Sequence, residues 1–182
     1  MCVTSSDQLC TDNCTQIEIT ACSRGFYCEE ETGRIGSPCL DASIGSNEGY
    51  TDVRNCTACP SGKYCAGAGQ TLETGDCTDG YWCNSGVNTP VPENYQLGGV
   101  ILGNRCDKGN FCNTITESPC VEGTYQPDFR KKECYPCPAG YNCDAPGIFD
   151  LELHLCPLNS YCEEGTGNST RQPVACPAGS FR

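Results

Sequence analysis

Apolar positions in this chain come in short bursts between segments rich in Gly, Thr, Asn, Asp and Ser. That pattern predicts turns and two-stranded ribbons, with helix nearly absent. Two bursts alternate as strands do: Ile17-Glu18-Ile19-Thr20, and the run from Phe149 to Leu155, which would set Leu151, Leu153 and Leu155 on one face. A third burst, Val100-Ile101-Leu102, is flanked by Gly98-Gly99 and Gly103 and closes residues 84–105, the longest stretch without a cysteine, which also holds Pro90 and Pro92.

The bursts are organised by one recurring unit, typified by Cys59-Pro60-Ser61-Gly62-Lys63-Tyr64-Cys65, with variants beginning at Cys22, Cys77, Cys106, Cys137, Cys156 and Cys176. The third residue after the first cysteine is Gly25, Gly62, Gly80, Gly109, Gly140 and Gly179, with Asn159 in the remaining variant. Glycine takes positive φ at little cost and asparagine tolerates it well, so a left-handed turn is expected there. An aromatic residue, Tyr27, Tyr64, Trp82, Phe111 or Tyr161, usually precedes the second cysteine and is expected to cover sulfur; in the Cys137 variant Asn142 stands there instead, beside Tyr141.

Composition sharpens this picture. Leu, Ile, Val and Phe total 28 of 182 residues, which with a net charge of −12 would ordinarily mean disorder. Twenty cysteines reverse that expectation. A bridge closing a loop of about 15 residues contributes roughly 3 kcal/mol in the chain-entropy description, so disulfides can replace a large apolar core. So many bridges require an oxidising compartment, and the expected location is extracellular, secreted or at the cell surface. The acidic balance disfavours nucleic acid as a partner, and no stretch is long and apolar enough to span a bilayer. Met1-Cys2-Val3 carries no secretory signal and Arg182 stands where a second cysteine belongs, so the sequence is expected to be an excerpt of a longer repeat protein.

A longer period is also present. The cysteines at 22, 28, 39, 56, 59, 65, 77 and 83 are matched by those at 106, 112, 120, 134, 137, 143, 156 and 162. Ser37-Pro38-Cys39 corresponds to Ser118-Pro119-Cys120, and Cys56-Thr57-Ala58-Cys59-Pro60 to Cys134-Tyr135-Pro136-Cys137-Pro138. The expected organisation is a tail of an upstream module over residues 1–21, a first copy over 22–83, a junction over 84–105, a second copy over 106–162 and a truncated further repeat over 163–182. Cys2, Cys10, Cys14 and Cys176 fall outside the paired sets.

At this cysteine skeleton, most closely over Cys120-Val121-Glu122-Gly123-Thr124-Tyr125 and Cys134 to Cys143, the chain resembles the ephrin-receptor-like repeats of the GCC2/GCC3 type, similar in look to tumour-necrosis-factor-receptor and EGF-like modules. The resemblance implies extracellular tandem modules and a receptor-like pairing: Cys39 with Cys56, Cys59 with Cys77 and Cys65 with Cys83, then Cys120 with Cys134, Cys137 with Cys156 and Cys143 with Cys162. Here the third and fourth cysteines of that pattern lie farther apart, and Cys106 and Cys112 have no counterpart in it.

Other chemistry is thin. The pairs Cys56/Cys59 and Cys134/Cys137 have spacing suited to zinc or redox work, but both need reduced thiols, and structural disulfides are the expectation. His154, the single histidine, is expected on the exposed face of an alternating strand and supports neither a metal site nor a catalytic triad. Glu29-Glu30-Glu31 and Glu163-Glu164 read as solvated turns, since no loop has the ligand spacing of a calcium site. Asn13, Asn55 and Asn168 fit the N-glycan acceptor rule, with Asn168 the first choice because no bridging cysteine crowds it; the plentiful Ser and Thr leave room for O-linked glycans. Val100, Ile101, Leu102, Leu151, Leu153 and Leu155 either cover neighbouring disulfides or meet another chain.

The sequence therefore predicts an elongated, small disulfide-rich fold of β-ribbon and coil, in tandem modules with almost no helix, free of cofactor or bound metal. The expected function is non-enzymatic: a structural segment of an extracellular glycoprotein that builds a fibrous, matrix or filament-like appendage with copies of itself or other extracellular proteins. The alternative is a ligand-binding ectodomain segment of a cell-surface receptor.

Overall fold

A computed structural model describes residues 21–29, 36–168 and 171–180. The tail over residues 1–20, with the Ile17–Thr20 alternation, Cys2, Cys10, Cys14 and Asn13, lies outside them, as do Glu30, Glu31 and Arg182. The described chain is ribbon and coil, and its one helical element is the short 3-10 turn Val53–Asn55.

The strands are β1 (Phe26–Tyr27), β2 (Ser37–Pro38), β3 (Ser43–Ile44), β4 (Thr57–Ala58), β5 (Lys63–Tyr64), β6 (Gly75–Asp76), β7 (Tyr81–Cys83), β8 (Tyr95–Leu97), β9 (Val100–Arg105), β10 (Asn110–Cys112), β11 (Glu117–Pro119), β12 (Thr124–Tyr125), β13 (Tyr135–Pro136), β14 (Ser160–Tyr161) and β15 (Val174–Ala175). They pair β1–β2, β3–β4, β5–β6, β10–β11, β12–β13 and β14–β15, all antiparallel, and one three-stranded sheet has the order β7-β9-β8.

One rule generates this topology. An opening cysteine is followed by a turn, the turn launches a short strand, and that strand pairs with the residues just before the next opening cysteine. The units so defined run 22–38, 39–58, 59–76, 77–105, 106–119, 120–136, 137–155 and 156–175, and Cys176 opens another. In the Cys137 unit the pairing shrinks to a single bridge, Tyr141 to Leu155.

The hub of each unit is its third residue after the opening cysteine, which has positive φ throughout. The values are 81° at Gly25, 80° at Gly62, 83° at Gly80, 80° at Gly109, 91° at Gly140 and 90° at Gly179, and Asn159 follows at 64°. Ala42 (64°) and Gly123 (80°) do the same, so Cys39 and Cys120 also open units, although no cysteine stands six residues after either. With the backbone reversed there, the hub carbonyl accepts a hydrogen bond from the next opening cysteine at every step, from Cys39 N–H to Gly25 through Cys176 N–H to Asn159, at 2.8–3.0 Å. The hub N–H reaches forward to the carbonyl six residues into the next unit: Gly25 to Gly45, Ala42 to Cys65, Gly62 to Cys83, Gly109 to Gln126, Gly123 to Cys143 and Gly140 to Cys162. Among the described residues the missing step is Gly80 to Cys112, between the fourth and fifth units. Hydrogen bonds and ion pairs otherwise join units one or two places apart, so the molecule is a string of units stacked in chain order.

Disulfides close the turns: Cys22–Cys28, Cys59–Cys65, Cys77–Cys83, Cys106–Cys112, Cys137–Cys143 and Cys156–Cys162, each six residues apart. This corrects four pairings implied by the family resemblance, namely Cys59 with Cys77, Cys65 with Cys83, Cys137 with Cys156 and Cys143 with Cys162. The reason is the left-handed hub, which folds the turn until its two cysteine Cα atoms stand 5.7 Å (Cys59–Cys65) to 6.4 Å (Cys77–Cys83) apart, inside disulfide range. Where the sixth position is not cysteine, the opening cysteine bonds farther on, Cys39 to Cys56 and Cys120 to Cys134. There Gly45 and Gln126 hold the place of the absent sulfur; Gln126 is fully buried, donating from Nε2 to the Glu133 carbonyl (2.6 Å) and accepting from Asp128 N–H.

Two apolar clusters supplement the sulfur. Cys77, Cys83 and Val87 are joined by Tyr64, Tyr95 and Leu102, and Cys137, Cys143 and Ile148 by Tyr125, Tyr141, Ala145 and Leu151. Tyr64 and Tyr125 thus pack against the bridge of the following unit. The expected strand over Phe149–Leu155 is absent: Asp150 Oδ1 accepts from Glu152 N–H and the Leu151 carbonyl from His154 N–H, which bends the segment into a turn.

Candidate functional site: an uncharged hairpin

Residues 84–105, expected as a junction, form part of the Cys77 unit's own sheet. Val100 pairs with Leu97 across Gly98-Gly99, whose φ values of 59° and 81° suit the two-residue turn that matches the right-handed twist of flanking strands. A register shift between Tyr95 and Gln96 bends β8. At the base Asn104 Oδ1 accepts from the N–H groups of Asn94 (3.0 Å) and Arg105 (2.9 Å). Gly103 lets the buried Pro92 lie against the sheet, since a Cβ there would sit 2.8 Å from the proline ring.

The hairpin has an inner and an outer set of side chains. Leu102 and Tyr95 pack onto the Cys77–Cys83 cluster. Burial raises the Tyr95 hydroxyl pKa above its ordinary value, and the nearby Asp41 charge adds to the effect. Asp41 ties the base to the Cys39 unit by accepting from Asn88 Nδ2 (2.6 Å) and Gly67 N–H (2.8 Å). Leu97, Val100 and Ile101 point outward, with 68%, 60% and 44% of their surface exposed. β8 is the outer strand of its sheet, and no charged residue occurs between Glu93 and Arg105.

The other sequence-predicted positions divide. Leu153 and Leu155 are exposed, whereas Leu102 and Leu151 are half-buried against the two disulfide clusters and do not face outward. Leu97, exposed beside Val100, was missed because period-two alternation gives no weight to a lone leucine before two glycines. His154 is half-buried in a turn, 3.3 Å from Asp144, rather than exposed on a strand. Cys56 and Cys59 belong to different bridges, as do Cys134 and Cys137, so neither pair is a redox couple. Glu117 lies near Cys106 and Cys112, but those sulfurs are bonded to each other, and Glu117 Oε1 accepts from Asp107 N–H (2.7 Å) and Asn110 Nδ2 (2.9 Å). Glu163 is paired with Arg171 at 2.6 Å. Cys176 is half-buried with a free thiol. A groove of about 410 Å³ lies between Lys108, Tyr125, Tyr141 and Phe149.

No protein-family model matches the chain. It is similar to signal peptide, CUB and EGF-like domain-containing protein 3 of Mus musculus, 31% identical over 104 residues, and to the Homo sapiens protein of that name, 32% identical over 94 residues. These alignments cover 56% and 50% of this chain but 10% and 9% of the relatives. Mus musculus zonadhesin is 25% identical over 185 residues, covering 94% of this chain and 3% of that protein. The chain thus spans about a tenth or less of the length of these relatives. With eight bridges among its described residues, it consists of disulfide-rich, extracellular cysteine-rich modules. No helix among the described residues is long and apolar enough to cross a membrane.

Proposed function

We propose that this chain is a non-enzymatic structural segment of an extracellular glycoprotein, whose stacked units set length and stiffness in a fibrous, matrix or filament-like assembly. The observation that carries the reading is the repeated hydrogen bond from each opening cysteine to the preceding hub, which makes every unit the template for the next. Lateral contact is assigned to the hairpin, and its occupant to a second copy of the chain. Two molecules at net charge −12 repel each other over most of their surface, but between Glu93 and Arg105 there is nothing to repel. An outer strand with neither proline nor charge offers its free backbone groups to an identical strand, and Leu97 and Val100 add apolar area.

Sedimentation of the oxidised chain at rising concentration tests this. Association is expected for the native sequence, and Val100→Lys should weaken it at least tenfold while far-UV circular dichroism is unchanged. A native chain that stays monomeric at high concentration would rule out the hairpin contact, and negative-stain images of discrete particles would count against the filament. The second reading, a ligand-binding ectodomain segment, is favoured by the aromatic groove of Tyr125, Tyr141 and Phe149; binding of a soluble extracellular protein that Tyr141→Ala abolishes would support it.

A further inference from the structure

The glycoprotein reading leaves open where sugar is attached, and resting on that reading we infer that Asn55, rather than Asn168, is the N-glycan acceptor among the described residues. Both satisfy the acceptor rule, Asn55-Cys56-Thr57 and Asn168-Ser169-Thr170. Their side-chain amides are held in opposite senses.

Asn55 closes the capping box of the Val53–Asn55 turn: its Oδ1 accepts from Asp52 N–H at 3.0 Å and Thr51 N–H at 3.2 Å. Two donors on the oxygen fix which end of the amide is which and leave Nδ2, the atom a glycan takes, directed away from the turn on an exposed residue. At Asn168 the polarity is reversed. Its Nδ2 is turned back on the chain and donates to the Asp144 backbone carbonyl at 3.4 Å, while the Asn168 backbone carbonyl accepts from Gln172 Nε2. It follows the buried Thr166 and Gly167, and Gly167 is bridged to Arg171. A sugar at Asn168 would share Nδ2 with the bond to Asp144, whereas at Asn55 the cap and the sugar use different atoms and coexist.

In the reaction Asn55 Nδ2 forms a bond to the anomeric carbon of an oligosaccharide carried on a lipid pyrophosphate. The amide loses one proton and the lipid pyrophosphate leaves with the electron pair of its sugar bond. The product stands beside the Cys39–Cys56 bridge, just ahead of the edge strand β4. The corresponding place before Cys134 is Glu133, so that edge would be shielded in the first set of four units and open in the second.

The test uses the full chain secreted from a eukaryotic cell. Enzymatic release of N-glycans in heavy-oxygen water should convert Asn55 to labelled Asp, with Asn168 unlabelled, and mass spectrometry of the two peptides reads both. Thr57→Ala, which leaves the Asn55 cap intact, should remove one step of gel mobility, and Thr170→Ala none. An unlabelled Asn55 or a labelled Asn168 overturns the inference. A secreted chain with neither N-linked nor O-linked sugar at any position overturns the glycoprotein reading itself, whereas sugar elsewhere but not on Asn55 sinks only this assignment.

Discussion

The Cys77 and Cys156 units occupy the same place, fourth in each run of four, and differ in what lies between the turn and the next opening cysteine. The Cys77 unit needs 29 residues to get there and the Cys156 unit 20, as their ranges 77–105 and 156–175 give. Both close a six-residue bridge, and in both the hub carbonyl accepts the hydrogen bond from the following cysteine N–H. In the longer unit the loop doubles back as β8 and β9 and brings Leu102 and Tyr95 over the bridge. In the shorter one Thr166 is fully buried, its Oγ1 donating to the Glu163 carbonyl, while Tyr161 stays 45% exposed. The skeleton consists of covalent bonds and backbone hydrogen bonds, so loop side chains are free to differ without loss of the fold. Extra residues in such a loop are where a new surface can be added.

The strongest way to break this comparison is to remove the bridges. A six-residue loop gives about 2 kcal/mol of loop-closure stabilisation, so Cys156→Ala with Cys162→Ala should cost about that much. Cys77→Ala with Cys83→Ala should cost about 4 kcal/mol, because it also loosens the cluster of Val87, Tyr64, Tyr95 and Leu102. Denaturant unfolding of the two double variants measures both, and equal losses would mean that the hairpin contributes nothing to the packing of its unit.

The hubs provide a smaller and sharper contrast. Asn159 already holds a left-handed hub in the shorter unit, so Asn159→Gly should change stability by less than about 0.5 kcal/mol. At Gly80 a Cβ would sit 2.1 Å from the Arg130 carbonyl oxygen, which belongs to the unit two places on. Gly80→Asn should therefore cost about 3 kcal/mol, from overpacking against backbone that cannot move aside. A Gly80→Asn chain that melts like the native one would show that the close approach is not maintained in solution.

The smallest effect concerns the Val53–Asn55 turn, whose counterpart before Cys134 reads Lys131-Lys132-Glu133. A hydrogen bond from the Arg54 guanidinium, with a second from its backbone N–H, holds the Asp52 carboxyl at about 2. A depressed carboxyl stabilises the folded turn above its unfolded value of about 3.9, and that contribution is lost as pH falls through about 2. The Arg54 amide resonance should stay unchanged from neutral pH to about pH 4 and move only near pH 2, while the disulfides keep the rest of the chain folded. Movement centred near pH 4 would show that the Arg54 contact is not formed.

Much of this was legible in the residues. Cysteine spacing with glycine at the third place and an aromatic near the sixth located the turns, and the exchange of Gly for Asn159 identified positive φ as the requirement, because few residue types tolerate that backbone. The units opened by Cys39 and Cys120 escaped notice: Ala42 carries no signature of a left-handed conformation, and Gly45 and Gln126 hide the missing cysteine. Alternation misled at Phe149–Leu155, where Asp150 captures a neighbouring amide and the turn prevails over the strand pattern.

By itself the sequence determined the class of molecule, an extracellular, sulfur-stapled ribbon, because composition excludes a large apolar core and turn chemistry is local. Only the tertiary structure decided which sulfurs join, which leucines face outward and which asparagine amide is free. Those outcomes depend on distances between segments that the left-handed hubs bring together, and neither spacing nor composition encodes such distances.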